Sequence, residues 1–398
     1  MRKMLKNRVG YLSGAPRIST LPEAAVSGPR TRVLGIVKGF ESLGWKVNSF
    51  IAGDRVPRKW VTEESEPAVN SKAWKIFLID LVRLGLNFVN ARKAWNELNG
   101  KVDLVYEYNA ALGSLGWIFK EYEIPWVVET HRPLFYEVEA ERQNVFLKKL
   151  ARERELKVYR DCDLIVTITE ALKDILVTQG GIPAEKVLVV PSSVDTDVFN
   201  PETAKPKRFF DGFTIGFVGN LYVWQRLDFL LEVLRELRDE GLDISLTVVG
   251  SGQMQKEWMA KALDLELAGN VKFVGQVPGN AVPDYIAGFD VGYSGHQQLQ
   301  IGTMYHSPLK IYEYMAMGKP VVASAFADAI EAIKDGETGF LFQSGDKESL
   351  KAALRKAYAN RESLPEIGSK AREEIIANYS WNARVEMMLA KIQDLLVG

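Results

Sequence analysis

The chain has 398 residues, 47% of them hydrophobic and 25% charged, with a formal net charge of −1. At roughly 100–200 residues per domain this predicts two globular domains with sizeable cores. The balanced charge excludes a global affinity for nucleic acid or anionic membrane, so any anion site must be local. One cysteine, Cys162, excludes an intramolecular disulfide and fits a reducing, cytoplasmic setting.

The N-terminal ten residues are basic but lack the apolar core of a secretory leader. Short β-branched runs then alternate with helical patterns. Strands are predicted at 9–12, 47–51, 104–106, 126–128, 164–167 and 187–190, with helices between them such as 31–43 and 110–121. The apolar stretch 76–89 is interrupted by Asp80 and Arg83 and falls short of the ~18 uncharged residues of a membrane span. It predicts an amphipathic helix that covers part of a domain, with a helix lying on a membrane surface as the alternative.

The polar, proline-bearing stretch 199–212 breaks the pattern and reads as a linker. Beyond it strands are predicted at 214–218, 244–249, 271–274, 291–293, 320–323 and 339–342. The helix 227–237 carries a stripe of Leu227, Leu230, Leu231, Leu234 and Leu237. Ser380 is placed to N-cap a last helix, 383–396. The predicted organisation is a first domain 1–200, a linker 201–212, a second domain 213–378 and a terminal segment 379–398. Strand–helix–strand repetition predicts an α/β fold of two Rossmann-like parallel-sheet domains. Ligands in such sheets sit beyond the carboxyl ends of the strands, so two facing sheets would form a central cleft.

The most informative segment runs Ser307-Pro308-Leu309-Lys310-Ile311-Tyr312-Glu313-Tyr314-Met315-Ala316-Met317-Gly318-Lys319-Pro320-Val321-Val322. Pro308 suits the first turn of a helix and Gly318 its C-terminal cap. A helix start there offers free amides and a positive dipole end, a seat for a diphosphate, to which Lys310 adds a charge. Glu313 shares a face with Lys310 and is placed to accept hydrogen bonds from a ribose diol. A surface Lys–Glu pair is the plainer reading of the same spacing. The assignment collapses if that helix start points away from the gap between the domains, or if Lys310 lies buried against apolar neighbours.

This segment resembles the signature of glycosyltransferase family 4, retaining enzymes of the GT-B fold. It follows a branch reading Ser-Pro-x-Lys-x-x-Glu-Tyr-Met-Ala-x-Gly-x-Pro-Val-Val. In that family a Glu-x7-Glu motif frames the donor. Glu313 matches the second, ribose-binding glutamate, whereas Tyr305 stands where the first belongs. The stretch Gly219-Asn220-Leu221-Tyr222-Val223-Trp224-Gln225-Arg226-Leu227 is similar to the family's diphosphate-gripping loop, but Asn220 replaces the usual arginine or serine. Gln225 holds the basic position there, which displaces the charge to Arg226. An alternative leaves Arg226 solvated and Lys310 nearly alone.

The resemblance assigns Gly250, in Val249-Gly250-Ser251-Gly252, to a donor-site turn, and Gly275 to Val277 to a base pocket read by backbone. Gly28, in Gly28-Pro29-Arg30, would approach the donor from the first domain, with Arg30 reaching a phosphate. His131, after a predicted strand, is similar in place to the family's sugar-contacting histidine. His296 and His306, with the distant Cys162, form no zinc pattern. No paired carboxylates mark a glycosidase; Glu129 is either a second polar site residue or structural.

The resemblance thus implies a metal-independent, cofactor-free hexosyltransferase-type enzyme of glycan biosynthesis. Catalysis falls to His131, Lys310 and Arg226. The donor site comprises Gly28, Arg30, Gly219, Asn220, Gly250, Gly275, Val277, Pro308, Leu309, Lys310 and Glu313. Its partners are a nucleotide sugar and an acceptor that is a glycan, a lipid-linked sugar or a small molecule. Nucleic acid is excluded, and peripheral contact with an inner membrane face stays open. Two alternatives remain, a non-catalytic nucleotide-sugar-binding protein and a sugar-nucleotide epimerase of the same fold.

Overall fold

The computed structural model describes residues 7–22, 24, 28–57, 73–110, 112–137, 145–297, 307–325 and 327–397. The chain divides into two compact units. Unit 1 comprises Met1–Pro191 with Arg384–Gly398, and unit 2 comprises Ser192–Ala383.

Unit 1 is built on six strands, β1 (Arg8–Ser13), β2 (Lys46–Ile51), β3 (Leu104–Tyr108), β4 (Trp126–Glu129), β5 (Leu164–Thr167) and β6 (Val187–Val189). They are all parallel, in the order β2-β1-β3-β4-β5-β6. Unit 2 holds β7 (Phe213–Val218), β8 (Ile244–Val249), β9 (Val271–Gly275), β10 (Val291–Ser294), β11 (Val321–Ser324) and β12 (Gly339–Phe342). Their order is β12-β11-β10-β7-β8-β9, again all parallel. The twelve predicted strands are all present. Their central segments are continuous runs buried on both faces, the pattern of a sheet covered by helices on either side.

In each sheet the strand order reverses once, between β1 and β3 in unit 1 and between β7 and β10 in unit 2. Beyond the carboxyl ends of the strands at such a reversal, the flanking loops diverge and leave a crevice. The core of unit 2 shows how the sequence enforces this. The helix Leu227–Asp239 buries Leu227, Leu230, Leu231, Val233, Leu234 and Leu237 completely against the sheet. Each such side chain contributes about 1.5–3 kcal/mol by leaving water.

Two helices differ from expectation. Helix α1 spans Gly28–Ser42 and α2 spans Ala73–Leu98, but α3 is only Trp117–Glu121, although 110–121 has a helical pattern. The carboxylate of Glu107 explains the shortening. It accepts the amides of Leu115 and Gly116, the Ser114 hydroxyl and the Trp126 indole, and so holds the segment in a turn. Leu112 has a positive φ of 59°, which a helix excludes.

Helix α2 has the second surprise. Its buried residues are Asp80, Ala91, Ala94 and Leu98, while Trp74, Leu78, Leu81, Val82, Leu86, Phe88 and Val89 lie exposed. The Asp80 carboxylate is spent on the amides of Phe146 and Leu147 and on Arg83. No described helix is long and apolar enough to cross a membrane.

Candidate functional site

In unit 2 the turns after β7, β8 and β9 interlock through glycines. The Gly219 amide donates to Val249 O at 3.0 Å, and the Gly250 amide to Gly275 O at 2.8 Å. Gly219 and Gly250 take φ values of +138° and +129°. A Cβ on Gly250 would stand 2.1 Å from Gly219 O, so no other residue fits. Asn220 is exposed beside this turn, and Val277 is half-buried beyond β9, with its side chain packed into the second core cluster of the unit.

The helix Leu309–Ala316 follows Pro308, its N-cap, and among the described residues no side chain caps its first amides. Gly318, with φ +65°, closes the other end, its amide bonding Met315 O. Two contacts place the helix. Just before it Ser307 accepts the Ser192 amide at 3.2 Å, and in its last turn Tyr314 accepts the Val218 amide at 2.7 Å, which ties the helix to the end of β7. Lys310, in the first turn, reaches the Gly219 turn at that strand's end.

Lys310 is not the open cation its spacing suggests, since only 7% of it is exposed. Its stem is buried and its ammonium lies 3.9 Å over the Phe217 ring. The tip is polar, however. Nζ donates to Gln225 Oε1 at 2.8 Å and sits 3.3 Å from where a Cβ on Gly219 would stand. Among the described residues its only hydrogen-bond partner is thus a neutral amide, and its head abuts the backbone of the glycine turn. Burial pushes the Lys310 ammonium down to about 7, against the opposing pull of Glu313. Glu313 is half-buried, and burial raises its carboxyl to about 7 while Lys310 opposes the shift. Among the described residues its carboxylate has no hydrogen-bond partner. A cation beside a bare backbone turn and an unspent carboxylate one helical turn on can together hold a diphosphate and a diol.

Arg226 is placed differently from expectation. It is the left-handed N-cap of its helix, with φ 50°. Its guanidinium forms a bidentate pair with Asp228 at 2.9 and 2.8 Å, bonds Gln297 and stacks 3.3 Å over Phe229. Its charge is therefore compensated within the chain. An i,i+2 pair is not a helix-face neighbour, and the left-handed cap is what brings the two side chains together.

Unit 1 gathers a second polar cluster at the carboxyl ends of β3 and β4. Glu129, fully buried, accepts Arg32 of α1, the Tyr106 hydroxyl at 2.9 Å and His131 Nε2 at 2.6 Å. Burial drives the Glu129 carboxyl up, but Arg32 and His131 outweigh it and hold it at about 2. Burial first, then Arg32, lowers His131 below its usual 6.5, so the ring is neutral at pH 7. A neutral ring that donates from Nε2 to Glu129 presents Nδ1 as an acceptor, with the Tyr108 hydroxyl 3.5 Å away.

Glu129, left open between two roles by the sequence, is the group that orients His131. Arg30 does not join this cluster. It donates to Ser19 O and Leu21 O and staples the loop after β1, while Gly28 opens α1. Sequence reasoning missed Arg32, although its spacing of four and eight from the buried Ile36 and Phe40 puts it on the inward face of α1.

His296 is buried, with Nδ1 3.2 Å from Ser294 Oγ. Tyr305 and His306 lie outside the described residues. Among the described residues no three His, Cys, Asp or Glu side chains gather as a metal site.

Residues 26–198 match the family model described as Glycosyltransferase Family 4, and residues 212–360 the one described as Glycosyl transferases group 1. A GDP-mannose-dependent alpha-(1-6)-phosphatidylinositol monomannoside mannosyltransferase of Mycolicibacterium smegmatis is 26% identical over 63% of this chain. A D-inositol 3-phosphate glycosyltransferase of Geodermatophilus obscurus is 27% identical over 73% of it. The match spans 66% of the length of each of these relatives, just under two thirds.

Among solved structures, Anabaena HepE in complex with UDP superposes with a TM-score of 0.66 at 17% identity, covering 97% of this chain and 100% of that one. A glycosyltransferase from Rickettsia africae gives 0.68 at 17% identity, covering 98% of each chain. The sucrose-phosphate synthase of Thermosynechococcus elongatus gives 0.67 at 18%, covering 98% of this chain and 99% of that one. The fold is therefore that of GT-B proteins.

Proposed function

We propose, for a chain that belongs to the glycosyltransferases through a family 4 domain and a group 1 domain, that it moves a sugar from a nucleotide-diphosphate sugar to an acceptor hydroxyl. Anomeric configuration is retained and no metal takes part. The observation that carries this reading is the Lys310 ammonium beneath the Gly219 turn, beside an uncapped helix start at Pro308 and Leu309.

The chemical task is to stabilise the diphosphate that leaves as the sugar–oxygen bond breaks. Fixed amides and a cation aimed at those oxygens need no reorganisation in the transition state. Lys310 supplies the charge and the Leu309 helix start the amides, while Glu313 accepts the ribose hydroxyls. Arg226 adds its charge only by exchanging Asp228 for phosphate oxygens. Gly250, Gly275 and Val277 offer backbone to the nucleotide. His131, neutral and aimed by Glu129, contacts the sugar. The acceptor attacks the face that the diphosphate leaves, and a donor phosphate oxygen takes its proton. The chain works in the cytoplasm, with peripheral contact at a membrane face.

A thermal-shift screen of nucleoside diphosphates and their sugars tests the donor site, since a ligand at 100 times its dissociation constant adds about 2.7 kcal/mol. Product formation with excess chelator present tests metal independence, and the anomeric configuration of the product tests retention. No shift with any nucleotide would remove the donor site. Tight donor binding without transfer or donor hydrolysis would mark a sugar-nucleotide-binding protein, the reading favoured by the pairing of Arg226 with Asp228.

A further inference from the structure

Unit 1 holds two cavities that share a wall. The first, about 510 Å³, opens where the strand order reverses, between Gly14 after β1 and Tyr108 at the end of β3. His131 lines it, together with five cationic side chains, Arg17, Arg55, Arg83, Lys93 and Arg132, against one carboxylate, Glu155. That carboxylate is already spent on the amides of Leu134 and Phe135 and on Asn109 and Tyr159. Arg55 and Arg83 pair with Glu97 and Asp80, but Lys93 makes no ion pair among the described residues. A crevice so lined attracts an anion.

The second cavity, about 380 Å³, has an apolar wall of Leu84, Phe88, Leu112, Trp117, Trp126 and Val158, is also lined by Ser114, Arg154 and the Lys157–Asp161 ion pair, and shares Asn87, Asn109, Ala110, Gly113 and Glu155 with the first. It suits a hydrocarbon chain. Helix α2 borders both, and on its outer side Trp74, Leu78, Leu81, Val82 and Val89 are each 45–58% exposed. The acids of α2 are Asp80, buried, and Glu97, paired with Arg55, so this outer face carries cations only, Lys75, Arg92 and Lys93. Large apolar side chains with basic neighbours suit the boundary of an anionic bilayer.

We propose that the acceptor is an anionic amphiphile drawn from a membrane, its phosphate or carboxylate head in the basic crevice beside His131, its apolar tail in the adjoining cavity lined by Leu84, Phe88 and Trp117, and α2 resting on the lipid surface. The identity of this ligand as acceptor rests on the glycosyltransferase reading; its binding does not.

The test uses the full chain and dodecyl phosphate below its micellar concentration, followed by calorimetry, with inorganic phosphate and dodecyl maltoside as single-feature controls. Dodecyl phosphate is expected to bind at least tenfold tighter than either control. Lys93→Glu, on the exposed rim, is expected to weaken it at least tenfold, and Phe88→Ser to reduce it to the level of inorganic phosphate. Flotation on phosphatidylcholine vesicles containing phosphatidylglycerol, but not on phosphatidylcholine alone, is expected for the wild type and lost in Leu78→Ser/Val82→Ser, whose sites line neither cavity. Equal binding of inorganic phosphate, equal binding of the maltoside, or flotation indifferent to phosphatidylglycerol overturns the proposal. Sugar-nucleotide binding is measured in parallel. Its loss with dodecyl phosphate binding intact would strike the donor reading instead, leaving an amphiphile site without its reaction.

Discussion

Donor binding is expected to exchange protons with solvent, and the sign of the exchange to invert near pH 7. Burial lowers the Lys310 ammonium from 10.5 to about 7 and raises the Glu313 carboxyl from 4.5 to about 7. Under the proposed reading the bound state needs both groups charged, Lys310 against the diphosphate and Glu313 against the ribose. At pH 8 the free site holds Lys310 about nine-tenths neutral, so binding takes up ~0.9 proton. At pH 6 Glu313 is about nine-tenths protonated, and binding releases ~0.9 proton. Linkage then requires affinity to peak near pH 7 and to fall close to tenfold, about 1.4 kcal/mol, for each pH unit well to either side. Calorimetry with a sugar nucleotide, whose phosphates do not titrate in this range, reads the protons from the observed enthalpy in buffers of different ionisation enthalpy. In Lys310→Met the uptake at pH 8 should vanish while the release at pH 6 remains. Wild-type binding without proton exchange at either pH, or uptake that survives the substitution, refutes the argument.

The same burial has a consequence for stability. The depressed Lys310 ammonium destabilises the folded chain fully below pH 7, and that penalty fades as pH rises toward 10.5, where the unfolded lysine also loses its proton. Lys310→Met is therefore expected to raise the denaturation midpoint at pH 6 more than at pH 9, while donor binding weakens at both. Gly250→Ala forces a side chain onto Gly219 O at a φ of +129°, and should cost about 1–3 kcal/mol in denaturant titrations and disturb donor binding with it. Glu129→Gln leaves Arg32 buried opposite a neutral amide and should cost up to ~3–5 kcal/mol, whereas His131→Ala should cost little stability. The same histidine change should slow transfer by about tenfold, the loss of one hydrogen bond of roughly 1.5 kcal/mol.

The strands were legible because most are short runs rich in β-branched and aromatic residues, many of them next to Gly, Pro or Asp, a pattern that depends on few distant partners. Helix 227–237 was legible for a related reason, its leucines recurring on one face. The segment 110–121 misled because its local pattern competes with Glu107, which takes two of its amides from a distance the pattern cannot sense. Helix α2 misled in the opposite way. Its apolar stripe is real, but periodicity reports that a face is apolar and not that the domain covers it. Gly219, Pro308 and Glu313, which the proposed reading puts at the donor, were visible as turn and helix-end chemistry. The internal commitments of Arg226 and Arg30 were not, because pairing with Asp228 or with backbone carbonyls depends on rotamers and on a left-handed cap that composition does not encode.

The contrast between Arg226 and Lys310 makes one more prediction. Arg226 has a carboxylate partner, and a phosphate must displace it from an ion pair. Lys310 has an amide partner, Gln225, itself buried to 6% exposure. Both the hydrogen bond given up to the neutral amide and the one gained to phosphate have the charged ammonium as donor, each worth roughly 1.5–3 kcal/mol, so the exchange is driven by the phosphate's own negative charge, which the amide lacks. A neutral partner thus keeps the ammonium in place in the empty site without neutralising it when the diphosphate arrives. Gln225→Glu would substitute a rival anion of nearly the same shape. It should hold Lys310 charged, suppress the proton uptake at pH 8 and still weaken donor binding at least tenfold, because the diphosphate must now compete for the charge. Gln225→Met, which removes the acceptor without supplying a charge, should leave affinity within about threefold of wild type, less than the effect of one net hydrogen bond. Equal donor affinity in the glutamate and methionine variants would mean that the Lys310 ammonium does not meet the diphosphate at all.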